Sequence, residues 1–457
     1  MRPQKFFFIY LYLLLAISFT ACKTEPQRQL RFIVISDTHV TRYPHSHEAL
    51  PKVLKNLLRN KPAPDAIFIC GDITDNGWPE EYDVLMATLN DRAIVPESIP
   101  VYLMMGNHDN RNLHYVDAGQ GQADCNPNVR FMQMNPQELF TAKTGQPLHQ
   151  YINIKGYPFI TVSLTVGDNI WDKETPHPQA KKIFKEDPKS YEEFVKHFQE
   201  SGAHVDCFDD NAMRFLTDKM ADAARTCPGK PIFLFSHIGS SCTTFGTFPQ
   251  DEGGQDQTNP VLERYPQTVF FSGHSHFPIG DPRVIHQERY TSINAGCANG
   301  PSGVRWYLPA PFISQGAPAC WEGLIVNVMT DGTVDIERWD ANRNEEILPR
   351  WQLEPPFDGT KFAYANRNGL PAPAFEAGAT VTSYVMGSEL LVHFPKATDN
   401  EVVNHYFIEF MDENGTVFYS GNKYSFFYLN SQMPELNVLH FNLTGANAEI
   451  ALPSCEK

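Results

Sequence analysis

The sequence predicts an α/β domain followed by a smaller all-β domain. Up to Trp351, continuous apolar runs of strand length alternate with segments of helical periodicity. Such runs are typical of strands that are buried on both faces of a sheet and joined by helices. After Pro355 and Pro356 the helical segments stop, and only short segments of strand-like alternation follow. We therefore assign residues 31–350 to the α/β domain and residues 353–457 to the all-β domain.

The α/β domain opens with two βαβ units. Their three strands and two joining helices are predicted at residues 31–36, 47–59, 66–70, 79–89 and 101–105. Further apolar runs predict strands at residues 159–164, 231–236, 268–272, 290–294, 323–328 and 333–338. Apolar spacing predicts an amphipathic helix at residues 210–224, whereas residues 167–204 follow no regular pattern and are interpreted as an irregular insertion.

The all-β domain is predicted from strand spacing. Alternating segments occur at residues 379–385, 389–393, 405–410 and 417–421. Strands that recur about every 8–12 residues are typical of a β-sandwich, and by this rhythm the segment resembles an immunoglobulin or fibronectin type III module. Its role stays open between a stabilising cap on the first domain, a spacer, and a contact for carbohydrate or a protein partner.

The first 21 residues have the pattern of a signal peptide. Arg2 and Lys5 precede a predominantly apolar stretch at residues 6–21, which is shorter than the roughly 20 residues of a membrane span. Small residues before Cys22 resemble a bacterial lipoprotein cleavage site, with Cys22 lipidated and residues 22–30 as a short tether. We expect an exported, membrane-anchored lipoprotein of the bacterial envelope, periplasmic or surface-facing. Cleavage by an ordinary signal peptidase and an uncleaved anchor are the alternatives.

Composition limits the partners. The chain of 457 residues has 53 acidic and 37 basic side chains, which gives a formal net charge of −16. Affinity for phosphate backbones and anionic membranes comes mostly from Lys and Arg. The charge therefore argues against nucleic-acid wrapping, and we expect contact with a membrane only through a lipid anchor. Protein partners are left open.

Cysteines permit disulfides in an oxidising compartment without indicating a pairing. Eight cysteines remain after Cys22, and none has zinc-type spacing. Cys70 lies in the apolar run at residues 66–70, so we expect it to be a buried free thiol.

Polar side chains follow five of the predicted strands directly. They are Asp37 and His39, then Asp72 and Asp75, then Asn107 and His108, then His237, and finally His274 and His276. Carboxyl ends of parallel strands meet at one edge of an open α/β sheet, which is where such sheets bind ligands. We therefore expect these side chains to converge.

The converging residue types are metal ligands. Imidazole and carboxylate without thiolate suit Mn, Fe or Zn, and a pair of ions needs one carboxylate that bridges them. We expect Asp37 and His39 to point to the same side of an extended segment, and His274 and His276 to do likewise. Each motif alone is more often a turn or an interior histidine, but all five in this order after apolar runs indicate a metal site.

In this order the motifs Asp-x-His, Gly-Asp-x-x-Asp, Gly-Asn-His-Asp, a lone His and Gly-His-x-His resemble the calcineurin-like metallophosphoesterase superfamily. The resemblance covers about residues 31–338. It implies a four-layer α/β-β/α sandwich of two mixed sheets and a site for two divalent or trivalent metal ions. It also implies a distribution of the ligands: Asp37, His39 and His276 for one ion, Asn107, His237 and His274 for the other, and Asp72 as the bridge.

The resemblance implies hydrolysis of small phosphate-ester substrates, in which a metal-bridged hydroxide attacks phosphorus in line. His108 would act on the leaving group and Asp75 would orient it. Purple acid phosphatases have glycine in place of His39 and tyrosine in place of Asp75, and Asn76 departs from the pattern of protein Ser/Thr phosphatases. The pattern is more similar to the cyclic-nucleotide-type phosphodiesterase branch. Whether a monoester or a diester is cleaved stays open, and a non-catalytic metal-dependent binding protein at the cell envelope is the alternative.

Two segments are expected to shape the pocket, residues 167–204 and residues 240–260. Histidines in the first segment are expected at the surface, at positions His177, His197 and His204. Aromatic side chains at Trp171 and Phe245 are expected to pack within the protein.

Overall fold

The fold is taken from a computed structural model that describes residues 26–59, 62–113, 136–165, 208–248, 254–301, 319–365, 372–386, 389–398, 403, 405–424 and 437–442. The expected signal peptide at residues 1–21 and the expected lipidation site Cys22 lie outside these residues, as does the whole insertion at residues 167–204. Among the described helices, none has the length and apolar character needed to cross a membrane.

The first sheet is mixed and has six strands. In spatial order they are β14 (Glu345–Leu353), β13 (Val334–Asp340), β12 (Glu322–Met329), β1 (Arg28–Ile35), β2 (Ala66–Ile69) and β3 (Val101–Leu103). β1, β2 and β3 are parallel. A helix lies between β1 and β2 and another between β2 and β3, and each of these connections carries the chain back so that the next strand runs in the same direction. The other three strands pair antiparallel.

The second sheet also has six strands. In spatial order they are β4 (His149–Ile154), β5 (Tyr157–Val162), β6 (Ile232–Phe235), β7 (Thr268–Ser272), β9 (Thr291–Asn294) and β8 (Ile285–Gln287). The four central strands are parallel, and β4 and β8 pair antiparallel at the two edges. A short pair outside both sheets consists of β10 (Gly300–Pro301) and β11 (Ala319–Cys320).

Helices cover the outer face of each sheet. Those against the first sheet are α1 (Ala49–Leu58), α2 (Pro79–Asn90) and α3 (Pro136–Thr144), and those against the second are α4 (Asp210–Thr226) and α5 (Asn259–Leu262). Three short 3₁₀ segments lie at Pro44–Ser46, His108–Leu113 and Pro282–Val284. With the sheets packed on each other, the described chain forms four layers, so the predicted α/β-β/α sandwich of two mixed sheets is confirmed.

Phenylalanine fills the space between the sheets. Phe68 on β2 stacks on Phe235 of β6 with ring centroids 4.1 Å apart. Phe32 on β1 meets Phe233 edge to face at 4.9 Å. These rings are fully buried, and truncation of one to alanine is expected to lower the free energy of unfolding by about 3–5 kcal/mol. The packed rings fix both sheets, and therefore the loops at their carboxyl ends, relative to one another.

The all-β region forms two small antiparallel sheets. One contains β15 (Thr382–Met386), β16 (Glu389–Phe394) and β19 (Asn437–Asn442), and the other contains β17 (His405–Met411) and β18 (Val417–Tyr424). Phe394 and Tyr406 join the sheets with ring centroids 5.1 Å apart. This is the two-sheet packing expected of a β-sandwich. The last strand of the α/β domain, β14, ends at Leu353.

Four of the described cysteines are free thiols. Cys70, Cys227 and Cys297 are buried, and Cys242 is exposed. The expectation for Cys70 is therefore confirmed. Its thiol is fully buried at the end of β2.

Candidate metal centre

The loops that follow five strands meet at one edge of the molecule. After β1 and β2 the chains run side by side, because Asp37 N donates to Gly71 O at 3.1 Å and His39 N donates to Asp72 O at 2.9 Å. After β6 and β7 a similar link is made by Gly273 N, which donates to His237 O at 2.8 Å. The two sheets thus bring all nine predicted site residues to one region, as the parallel strand order predicted.

The backbone of the site is left-handed at five non-glycine residues. The positive φ angles are 55° at Asp37, 38° at His39, 45° at Asp72, 72° at His274 and 51° at His276. The expected extended conformation of Asp37–His39 and His274–His276 is therefore wrong, because the chain turns sharply at each strand end. Each such angle costs about 1–3 kcal/mol and persists only where the surrounding structure holds it.

Two glycines make room for the carboxylates. A Cβ atom at Gly106 would collide with Oδ1 and with the backbone nitrogen of Asp72. One at Gly273 would collide with Oδ2 of Asp37. The glycines of Gly-Asn-His-Asp and Gly-His-Ser-His are thus required by close approach of the chain to the two buried acids.

The first ligand set contains Asp37, His39, Asp72 and His276. His276 Nε2 lies 3.0 Å from Asp37 Oδ1 and 3.0 Å from His39 Nε2. His39 Nε2 in turn lies 3.8 Å from Asp37 Oδ1 and 3.8 Å from Asp72 Oδ2. Two ring nitrogens at hydrogen-bond distance from each other, with carboxylate oxygens within 4 Å of both, are atoms that a cation would bring together.

The second ligand set contains Asp72, His237 and His274, with Asn107 beside them. His237 Nε2 lies 3.2 Å from Asp72 Oδ2 and 3.0 Å from Asn107 Oδ1. His274 Nδ1 lies 3.1 Å from the same Asn107 oxygen. His237 Nδ1 is 2.7 Å from Cys70 O, so this nitrogen donates to the carbonyl and Nε2 is directed to the site.

Asp72 belongs to both sets, which is the position that a bridging carboxylate needs. Burial raises the pKa of Asp72, but His237 and His108 outweigh it and hold the pKa well below its usual range. Burial likewise raises the pKa of Asp37, and the facing His276 and His237 lower it to about 2. Both carboxyl groups are therefore ionised acceptors at neutral pH.

The imidazoles respond to these two charges. Burial lowers the pKa of His237, but Asp72 and Asp37 raise it to about 9. Burial and the neighbouring His237 lower the pKa of His274 to about 3. The pocket therefore favours positive charge at its centre. The His274 ring stays neutral, and neutral imidazole is the form that binds a metal ion.

The donors present fit a metal centre. Every atom directed to the centre is a carboxylate oxygen, an amide oxygen or a ring nitrogen, and the described groupings of possible ligands contain no thiolate. Their side chains are nearly all buried, and the acids are ionised. The first set offers two imidazoles and two carboxylates, and the second offers two imidazoles and Asp72, which belongs to both sets.

His108 and Asp75 lie beside the ligand sets. His108 Nδ1 is 2.9 Å from Asp75 O and 3.2 Å from Asp75 Oδ1. The backbone nitrogen of His108 donates to Asp72 Oδ1 at 2.8 Å. His108 Nε2, at the other end of the ring, lies 3.8 Å from Asp72 Oδ2, and the side chain is 15% exposed. Asp75 therefore orients the His108 ring through Nδ1, so that Nε2 is directed to the pocket.

Two acids that support the site were missed as functional by sequence reasoning. Asp109 is fully buried and accepts from Thr74 N at 2.8 Å and from Gly106 N at 2.8 Å, which ties together the loops after β2 and β3. Glu81 on α2 accepts from Asn76 N at 2.9 Å and from Trp78 N at 3.2 Å. The signal for Asp109 is its place as the last residue of the Gly-Asn-His-Asp motif. The signal for Glu81 is its position in the first turn of a helix, where a glutamate accepts hydrogen bonds from backbone N–H groups.

Phe245 packs as expected. Its ring lies 4.0 Å from that of Phe277, and the guanidinium carbon of Arg283 lies 3.6 Å from its centroid. The loop that carries it therefore borders the segment that begins at His276. Predictions for Trp171, His177, His197 and His204 fall outside the described residues.

Sequence comparison identifies the family. Residues 30–278, more than half of the chain, match the family described as Calcineurin-like phosphoesterase. The chain belongs to this family. The resemblance inferred from the five motifs is thereby confirmed, and the matched range contains every candidate ligand from Asp37 to His276.

Curated relatives match shorter segments. A probable glycerophosphodiester phosphodiesterase GpdQ from Arcobacter nitrofigilis is 34% identical over 85 residues, which are 17% of this chain and 29% of that protein. A probable cyclic nucleotide phosphodiesterase from Rhodococcus erythropolis is 28% identical over 135 residues, which are 28% of this chain and 44% of that protein. This chain thus spans less than half the length of either relative.

Among solved structures, the purple acid phosphatase PPD1 from Lupinus luteus shares 12% identity at a TM-score of 0.40. The match covers 72% of this chain and 54% of that one.

Proposed function

We propose that this protein hydrolyses small phosphate esters with the help of two metal ions. The observation that carries the proposal is the pair of buried ligand sets joined by Asp72, in a chain of the calcineurin-like phosphoesterase family. Asp37, His39 and His276 would hold one ion, Asn107, His237 and His274 would hold the other, and Asp72 would contact both. Mn, Fe and Zn suit these donors.

When bound, the two ions supply Lewis acidity for phosphoryl oxygens and for a nucleophilic water. The protein's own backbone and hydrogen bonds hold the donors in place. Five left-handed backbone positions and the close approach of Gly106 and Gly273 fix the carboxylates and rings. Hydrogen bonds at Nδ1, to Cys70 O and Asp75 Oδ1, orient the rings of His237 and His39. Burial of Asp37 and Asp72 keeps water away from the acids.

His108 acts on the leaving group. Nδ1 bonds to Asp75, so Nε2 faces the pocket and, in the protonated ring, donates a proton to the departing ester oxygen. The carboxylate of Asp75 stabilises the charged ring. The hydrogen bond from the His108 backbone nitrogen to Asp72 places the His108 ring beside the two proposed ligand sets, and His108 is a member of neither set.

A phosphodiester is the substrate class that we favour. Both curated relatives are described as phosphodiesterases, one for glycerophosphodiesters and one for cyclic nucleotides. The presence of Asp75 and the Gly-Asn-His-Asp motif agrees with this branch. A leaving group that would depart as an alkoxide leaves more readily when an acid such as His108 protonates its oxygen.

Hydrolysis of bis(p-nitrophenyl) phosphate, beside p-nitrophenyl phosphate, tests the proposal in protein reconstituted with Mn, Fe or Zn. We expect Asp72→Asn to remove most activity and to lower the bound metal measured by elemental analysis. Asp83→Asn is the matched control, because Asp83 is an exposed acid on α2 that pairs with Lys143. Full activity in Asp72→Asn would overturn the proposal, and metal binding without turnover of either ester would favour a binding protein.

We also propose export and anchoring through Cys22, on the pattern of residues 1–22. Mass spectrometry of protein produced in a bacterial host should find a lipid on Cys22. Cys22→Ser should then release the protein from the membrane fraction. A wild-type chain that begins upstream of residue 22 without lipid would contradict this localisation.

A further inference from the structure

Arg42 lies beside the site with its charge unmatched by any described carboxylate. Its guanidinium carbon lies 4.3 Å from the ring centroid of Trp78 and 5.0 Å from that of Tyr43. One nitrogen donates to Tyr43 Oη at 2.9 Å. Within the described part of the chain no ion pair forms to Arg42, although a guanidinium has five N–H donors.

Chain geometry places this stack at the rim of the site. Arg42 lies three residues after His39, and Trp78 lies three residues after Asp75. His39 Nδ1 and Asp75 Oδ1 are 3.2 Å apart, so the two loops are joined at the site and again at the stack. Three residues span at most about 11 Å of backbone, so Arg42 and Trp78 both begin within that distance of the joined pair His39 and Asp75.

The loop that carries Arg42 is held by its own hydrogen bonds. Thr41 N donates to Ser46 Oγ at 3.1 Å, Ser46 N donates to Tyr43 O at 3.1 Å, and His47 Nε2 lies 2.9 Å from Thr41 O. Asp75 N also donates to Val40 O at 3.1 Å. The arginine is thus presented from a defined turn, and a side chain held in this way loses less entropy when it binds a partner.

A second arginine stack near the site shows the contrast. Arg283 lies over Phe245 beside the segment that follows His276, but its guanidinium pairs with the buried Asp281 at 2.7 Å. That charge is already neutralised within the protein. Of these two stacks, the one at Arg42 is therefore the one whose charge no carboxylate of the described residues neutralises.

We propose that Arg42, held by Trp78, binds a second anionic group of the substrate, a carboxylate or phosphate on the ester group that is not cleaved. This rests on the proposed function and names its substrate class: small phosphodiesters with an additional anion. The guanidinium fork matches the paired oxygens of either anion. In a protein with a net charge of −16, such a group is attracted by a local cation and not by the overall field.

The test compares p-nitrophenyl phosphodiesters whose second ester group is ethyl, 2-carboxyethyl or 2-phosphonoethyl. In Arg42→Gln, KM for an anionic ester should rise about tenfold, as for loss of one charge-assisted hydrogen bond, with KM for the ethyl ester within about twofold of wild type. Arg42→Lys should give a smaller rise, because it keeps the charge and loses the fork. The anionic ester whose KM rises in Arg42→Gln shows whether Arg42 binds a carboxylate or a phosphate-like group.

Lys52→Gln is the matched control. Lys52 is an exposed cation on α1 that stacks on Trp321 at 4.6 Å, so its loss changes net charge equally without touching the rim. It should leave all three KM values unchanged. Equal changes for charged and ethyl esters in Arg42→Gln, or none, would overturn the inference. Failure of wild-type protein to hydrolyse any of the esters would instead overturn the proposed function.

Discussion

Asp75 Oδ1 lies 3.2 Å from Nδ1 of His39. The same oxygen lies 3.2 Å from Nδ1 of His108, so one carboxylate orients a candidate metal ligand and the candidate acid together. The side-chain hydrogen bonds from these two rings oppose the effect of burial and hold the pKa of Asp75 below its usual range. Loss of this acid is therefore expected to affect both metal binding and turnover.

Asp75→Asn tests the double role. An amide offers one acceptor oxygen and no charge, so we expect metal affinity and kcat/KM each to fall by about 10–100-fold. Isothermal titration with Mn²⁺ or Zn²⁺ and steady-state kinetics measure the two effects. The surface variant Asp83→Asn should change neither. An Asp75→Asn protein with wild-type metal affinity would show that the contact with His39 has no functional role.

His108→Ala separates turnover from metal content. His108 belongs to neither proposed ligand set, so the variant should bind metal as wild type does. Its kcat should fall by about 10²–10⁴-fold, as for loss of a general acid. The loss should be greater for a phenyl ester than for a p-nitrophenyl ester, because the better leaving group needs less protonation. A loss of equal size for both esters would contradict a role in protonation.

The sequence predicted the central strands of each sheet and the edge strand β3, and it missed the other edge strands, β4, β8 and β14. β7 was predicted at residues 268–272 and is observed there, because five consecutive apolar or small residues are buried on both faces. β4 was missed because polar and apolar residues mix in it and most of its side chains are only partly buried. β14 was missed for the same reason, since several of its side chains are exposed.

Convergence of the nine site residues was predictable, whereas their local geometry was not. Each side chain follows a buried strand, and strand order alone brings such residues to one edge. The left-handed angles at Asp37 and His276 depend on contacts from distant loops, such as His274 N to Asp37 Oδ2 at 3.0 Å. Contact of Asp75 with a second ring depends on the same packing of loops.

Gly106→Ala tests whether close approach to Asp72 is required. A Cβ atom there meets Asp72 backbone and side chain, neither of which has room to move. We expect metal affinity to fall and the free energy of unfolding to drop by about 1–3 kcal/mol. Gly145→Ala is the control, because no atom lies near its added Cβ. With φ of 70° at Gly145, that control should lower stability by about 1 kcal/mol and leave activity unchanged.

Glu322 gives the folded protein a dependence on pH away from the ligand sets. It lies at the start of β12, and its Oε2 accepts from Ile279 N at 3.0 Å. Burial raises the pKa of Glu322 to about 8, with Asp340 adding to the rise and Arg338 and the bond from Ile279 opposing it. In the unfolded chain the group titrates near the ordinary value of 4.5. Between these values the folded protein holds a proton that the unfolded chain has released.

Stability should therefore fall as pH rises from about 4.5 to about 8, by at most about 1.4 kcal/mol per pH unit from this group. Glu322→Gln keeps an acceptor for Ile279 N and removes the titration. Urea unfolding of both proteins at pH 5, 6.5 and 8 measures the difference in the free energy of unfolding, and titrations shared by both proteins cancel in it. The glutamine variant should gain stability relative to wild type at each step upward in pH. A difference that stays constant across this range would show that Glu322 is ionised in the folded protein throughout.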